Sequence, residues 1–155
     1  DMGMFYKRRD YSRIVGGRNP IVAHEFLGSN VAGKDMIIVA DMISSGDSML
    51  EVAKLLKEKQ ARNIYMCSTF GLFTNGLDKF DRAYKKGWFT KLVTTNLIYQ
   101  TPELLNKPYY INCDMSKYIA LLIDTLNHDS SVSSLLDPVE RIQKVLRKFQ
   151  NHEKI

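Results

Sequence analysis

The sequence predicts an α/β fold: a three-layer α/β/α arrangement with a mostly parallel sheet. Two observations carry that expectation. Short apolar runs alternate along the chain with segments whose apolar residues recur every three to four positions. The order is strand, helix, strand, and a crossover helix returns the chain to the same end of a sheet, so neighbouring strands run parallel.

The elements follow in order. Residues 1–20 mix charges with Gly16, Gly17 and Pro20 after a short apolar start, and read as a flexible loop. Met36–Ala40 reads as a buried strand. Met49, Val52, Ala53 and Leu56 then fall on one face, predicting an amphipathic helix from Ser48 to about Gln60. Ser48 with Glu51 three residues on has the form of a capping box. Asn63–Phe70 is a second strand, and 71–76 a loop. Leu77–Lys86 is a short helix with Leu77, Phe80 and Tyr84 on one side and Gly87 placed to end it. Lys91–Thr95 and Tyr109–Cys113 are further strands. Met115–Asn127 is a helix, its face built from Met115, Tyr118, Ile119, Leu122 and Leu126. A last helix, with Val139, Ile142, Leu146 and Phe149 in a stripe, follows Pro138.

At 155 residues the chain suits one domain with a sizeable core. No stretch approaches the ~18 consecutive apolar residues of a membrane span. The start, Asp1-Met2-Gly3-Met4, has no secretory layout and predicts a piece of a longer chain. Cys67 and Cys113 form no metal-binding spacing and read as reduced thiols in the cytoplasm. His24 reads as structural, and His128 lies just past a helix end, where the dipole favours a cation. The net charge of +5 is concentrated in residues 1–20 and 139–155, each at +3, which leaves the body near neutral. That distribution argues against a nucleic-acid face across the fold.

The most informative stretch is MIIVADMISSGDSMLE, residues 36–51. An apolar strand ends at Asp41, then Ser44-Ser45-Gly46-Asp47-Ser48 enters a helix. Amides at a helix start lack intrahelical partners, and the dipole adds partial positive charge, so such a turn is a ready phosphate site. The serine hydroxyls can donate further bonds, Gly46 permits close backbone approach, and Asp41 can accept from vicinal hydroxyls. A plain capped strand-to-helix turn accounts for the same residues. Asp47 favours that alternative, since a carboxylate beside a phosphate must point away.

The stretch resembles the phosphoribosyl-diphosphate motif of the type I phosphoribosyltransferase-like fold. Phe5–Asp10 (FYKRRD) resembles the Lys-Arg-Arg catalytic loop of ribose-phosphate pyrophosphokinases. Leu92–Ile98 (LVTTNLI) and His128–Leu136 (HDSSVSSLL) resemble two later segments of that family, in the same order and spacing. The resemblance implies a C-terminal part of an enzyme that moves the diphosphoryl group of ATP to ribose 5-phosphate, giving phosphoribosyl diphosphate and AMP. It implies Lys7 and Arg9 as catalytic cations, and Asp41, Ser44, Ser45, Gly46, Asp47 and Ser48 as the ribose 5-phosphate site. Magnesium would arrive with ATP, no metal would be held by these residues themselves, and the whole protein would be a cytoplasmic homo-oligomer without nucleic-acid or membrane partners. The expected layout is a catalytic-loop region at 1–20, the phosphoribosyltransferase-like domain at 21–137, and a basic helix or tail at 138–155. Two positions depart from the family pattern: Ala40 replaces the first acid of a pair, and Asp47 brings a charge into the phosphate turn. The piece alone is expected to be inactive. The alternatives are a non-catalytic regulatory relative and a phosphoribosyltransferase.

Overall fold

A computed structural model describes residues 2–9, 12 and 21–153, without the side chains of 6–9 and 21–25. The chain divides into two compact units, residues 1–113 and 114–155.

The first unit begins with an antiparallel hairpin, β1 (Met4–Arg9) and β2 (Ile21–Leu27), in which Phe5 is opposite Phe26 and Lys7 opposite His24. The sequence reading made residues 1–20 a loop; the structure instead gives 4–9 to a strand. The alternation there is masked by three consecutive cations, and strand pairing satisfies the backbone regardless of side-chain polarity. Gly16 and Gly17 lie outside the described residues.

A four-stranded sheet follows, from β3 (Met36–Ile43), β4 (Ile64–Gly71), β5 (Lys91–Thr95) and β6 (Tyr110–Cys113), in that spatial order and all parallel. Between the strands lie α1 (Asp47–Glu58), α2 (Asp78–Lys85) and the single turn α3 (Pro102–Leu105). This is the α/β order the alternating pattern predicts.

Period-two alternation decides which side chains reach the core. Ile64, Met66 and Leu92 are fully buried on one sheet face, where they meet Met49, Leu50, Ala53 and Leu56 of α1 and Phe80 and Ala83 of α2. On the other face Ile37, Val39 and Ile111 are exposed. β3 is an edge strand, which is why it continues three residues past Ala40. Met42 and Ile43 pair with Phe70 and Gly71, while Asp41 stands exposed at no desolvation cost.

The sheet's amino end is tied by Asp35. Its carboxylate accepts from Arg62 Nε and Nη2, both at 2.7 Å, and from Asn63 Nδ2 at 2.9 Å. The bidentate Arg62 bond is the main cause that holds the Asp35 carboxyl well below the usual range, at about 2.

The second unit contains α4 (Ser116–Asn127), α5 (Ser133–Leu136) and α6 (Val139–Gln150). Tyr118 Oη donates to the Leu135 carbonyl at 3.1 Å. Arg141 lies 5.5 Å from the Tyr118 ring centre and donates to the carbonyls of Ser134 and Leu135. His128 is the C-cap of α4, its Nδ1 2.9 Å from the Asp124 carbonyl oxygen.

Candidate functional site

Parallel α/β sheets open their ligand crevice at the carboxyl ends of the strands. Residues 43–48 occupy that position after β3. Their conformation follows from two constraints. The strand must turn into α1 within three residues, and α2 leaves no room beneath the turn. Gly46 answers both: it is the N-cap of α1 at φ +79°, and a Cβ there would lie 2.2 Å from Phe80 Cζ. Gly46 therefore has no side chain because of Phe80 below it, whatever binds above.

The turn is braced from the next loop. The Ile43 carbonyl accepts from Leu72 N at 2.8 Å, and the Ser44 carbonyl from Thr74 N at 3.1 Å. Ser44 Oγ lies 3.3 Å from Thr74 Oγ1. Among the described residues, no backbone carbonyl outside the helix and strand ladders takes the amides of Ser45, Gly46 or Met49. Amides at the entry to a helix lack intrahelical partners, and such a turn can accept an anion.

The capping box expected from Ser48 and Glu51 does not form. The helix starts one residue earlier, at Asp47, and the cap carries no side-chain hydrogen bond. A glycine in the left-handed region sets the helix start here, so Ser48 sits inside the first turn rather than before it.

Asp47 is the residue whose presence the sequence made awkward. Its Oδ2 accepts from Ser45 Oγ at 2.9 Å, and its Oδ1 from Lys79 Nζ at 2.5 Å. The carboxylate thus turns toward α2 and is neutralised there. Asp41 Oδ1 accepts from the Met42 amide at 2.7 Å and is exposed.

Lys7 and Arg9 lie on β1, their side chains outside the described part of the structure. The root of their hairpin is placed by Phe5 and Phe26, with ring centres 5.0 Å apart. Lys59, just past the C-terminus of α1, lies 5.9 Å from the Phe26 ring centre. The hairpin root and the 44–48 turn are therefore at opposite ends of a 12-residue helix, about 18 Å long.

Phe73 is half-buried against Phe80, ring centres 5.2 Å apart and edge to face, so it serves the packing under the turn. The end of β5 is fixed by polar contacts that sequence reasoning missed. Thr94 Oγ1 is 2.7 Å from Tyr110 Oη, and Gln100 Nε2 donates to the Thr95 carbonyl at 2.9 Å. Among the described residues, no group of three His, Cys, Asp or Glu is gathered as a metal would require, and no helix is long and apolar enough to cross a membrane.

The geometry is that of a phosphoribosyltransferase-like α/β domain, with the 44–48 turn after the first strand of the four-stranded sheet. The family model for the phosphoribosyl synthetase-associated domain matches residues 18–137, and the chain belongs to that family. A ribose-phosphate pyrophosphokinase of Mycoplasma pneumoniae is 30% identical over 128 residues, 79% of this chain and 38% of that protein. The enzyme of the same name from Pasteurella multocida is 27% identical over 137 residues, 87% and 40% respectively. Among solved structures, the phosphoribosylpyrophosphate synthetase of Mycobacterium smegmatis matches with a TM-score of 0.60 at 20% identity, over 70% of this chain and 35% of that one. The chain spans about a third of the length of the curated relatives it matches.

Proposed function

We propose that the chain is the C-terminal part of a ribose-phosphate pyrophosphokinase, a cytoplasmic transferase that works as a homo-oligomer. The turn 44–48 holds the 5-phosphate of ribose 5-phosphate through its amides and the hydroxyls of Ser44, Ser45 and Ser48. Asp47 contributes its backbone amide, while its carboxylate stays on Lys79. Asp41 accepts from the ribose hydroxyls. One observation supports this reading: a glycine-capped turn enters α1 on the crevice end of a parallel sheet, and among the described residues no backbone carbonyl outside the ladders takes the amides of Ser45, Gly46 or Met49.

The anomeric oxygen of the bound sugar then attacks the β-phosphorus of ATP, the bond to the α-phosphate oxygen breaks, and AMP leaves. Such a transfer is accelerated by positioning and by positive charge on the moving group. By the family resemblance, Lys7 and Arg9 supply that charge. Magnesium bound to ATP would supply further positive charge on the phosphate oxygens, with none of the described residues as its ligands. The 155 residues alone are inactive. Incubation of the 155 residues with ATP and ribose 5-phosphate should yield no AMP above background, whereas the whole protein should form it; appreciable AMP from the piece contradicts this.

A regulatory relative without catalysis is a second reading, favoured by Ala40 where the family carries an acid. Ala40→Asp in the whole protein separates the two. A large gain in activity marks an impaired enzyme, and inactivity in both forms marks a regulator.

A further inference from the structure

Asp47 leads from the phosphate turn into a groove between α1 and α2, about 310 Å³ in volume. Its floor is apolar, made by Leu50, Ala83 and Trp88. Its rim is mostly basic. Lys79 and Arg82 of α2 and its C-cap Lys86 recur at three and four positions, and Lys54 of α1 lines the same groove. Lys54 Nζ and Lys86 Nζ lie 5.8 and 5.2 Å from the Trp88 ring centre, so two ammonium groups converge on one aromatic side chain. Among the described residues, neither Arg82 nor Lys86 has an ion-pair partner. Lys54 pairs with Glu58 and Lys79 with Asp47, and Glu51 also lines the groove, so Arg82 and Lys86 are the cations left to meet an anion over this hydrocarbon floor. That combination suits a small planar apolar body carrying a phosphate.

Lys79 joins this groove to the turn. It lines the groove and holds Asp47 at 2.5 Å, and Asp47 holds the Ser45 hydroxyl at 2.9 Å. We propose that the groove between α1 and α2 is a second anion site, taking a small organic phosphate, and that Lys79 and Asp47 couple it to the 44–48 turn. The coupling rests on the sugar-phosphate reading of that turn; the groove itself does not. An anion in the groove draws Lys79 away from Asp47. The carboxylate left behind, at the first residue of α1, then repels a phosphate on the turn. By linkage, each ligand weakens the other by the same factor.

Trp88 is the sole tryptophan of the chain, so its fluorescence reports on the groove alone. The test titrates the 155-residue chain with phenyl phosphate, and separately with inorganic phosphate. Phenyl phosphate should give a saturable change at Trp88 with a dissociation constant about tenfold lower than that of inorganic phosphate. The change should disappear in Arg82→Glu/Lys86→Glu, whose exposed side chains leave the core intact, and weaken in Arg82→Gln. No saturable change, or an equal one in the double variant, overturns the groove site. Ribose 5-phosphate is then titrated with and without phenyl phosphate, read at the Ser45 and Gly46 amides by NMR. Its dissociation constant should rise several-fold with phenyl phosphate present, and the rise should vanish in Lys79→Gln. An unchanged constant overturns the coupling. Ribose 5-phosphate that fails to shift those amides, with the Trp88 signal intact, refutes the turn and leaves the groove standing.

Discussion

Gly46 and Phe80 are in mutual contact, so close that a methyl group on the glycine would lie 2.2 Å from the ring's Cζ. The 44–48 turn and the α2 core are thereby one packed unit, and the shape of the turn is dictated from beneath. Gly46→Ala should cost about 2–4 kcal/mol, combining left-handed strain at φ +79° with overpacking against a fully buried ring. Equilibrium urea unfolding measures it. A loss below ~1 kcal/mol would mean that the turn moves independently of α2.

Phe80→Leu removes the same contact from the other side. It should destabilise by about 1–2 kcal/mol, since a smaller apolar group fills part of the site. In Gly46→Ala/Phe80→Leu the two costs should add to less than their sum, because the leucine yields space to the new methyl. Strict additivity in the double-mutant cycle would contradict the packing described.

Asp35 gives the fold an acid limit. Its carboxyl titrates at about 2, against an ordinary value of 3.8, chiefly because of its bonds to Arg62. A depressed carboxyl contributes stability above its unfolded value and loses it as pH falls through the folded one. The melting temperature should therefore fall between pH 4 and 2 more steeply in the native protein than in Asp35→Asn. Equal slopes would show that the Arg62 pairing is not held in solution.

Tyr109 is buried, and its hydroxyl donates to Asp81 Oδ1 at 2.7 Å, while Lys107 takes Oδ2 at 2.7 Å. Burial, then the bond to Asp81, pushes the Tyr109 phenol far above its usual range. Tyr109→Phe should cost about 2 kcal/mol, because the carboxylate loses one charge-assisted bond and keeps the other. A neutral substitution, read by thermal unfolding, would rule out that bond as a tie between α2 and the residue that leads into β6.

Much of this architecture was legible because the residues obey one rule at a time. Lys91–Thr95 is the strand its alternation indicates, and the serine-glycine turn sits at the crevice end of β3 as its pattern requires. The misses occur where tertiary context outweighs local pattern. β3 runs on to Ile43 because an edge strand tolerates Asp41. The helix after it is capped by Gly46 rather than by Ser48 because Phe80 selects a glycine there. α3 was overlooked although Thr101 accepts from the Leu104 amide and Pro102 follows it, a start signal present in the sequence. The pairing of Asp47 with Lys79 bridges 32 positions, and no local pattern announces it.

The hydroxyls of the turn can be tested singly. Ser44→Ala and Ser48→Ala should each weaken ribose 5-phosphate binding about tenfold, the value of one hydrogen bond to a charged phosphate. Unchanged affinity in both, by calorimetry, would leave the amides as the only donors.

The most direct measurement is an NMR titration of the 155-residue chain with ribose 5-phosphate. The amides of Ser45, Gly46 and Met49 should shift together and saturate, with ribose alone producing no such shift. Shifts confined to other residues, or none at millimolar ligand, would contradict the phosphate turn.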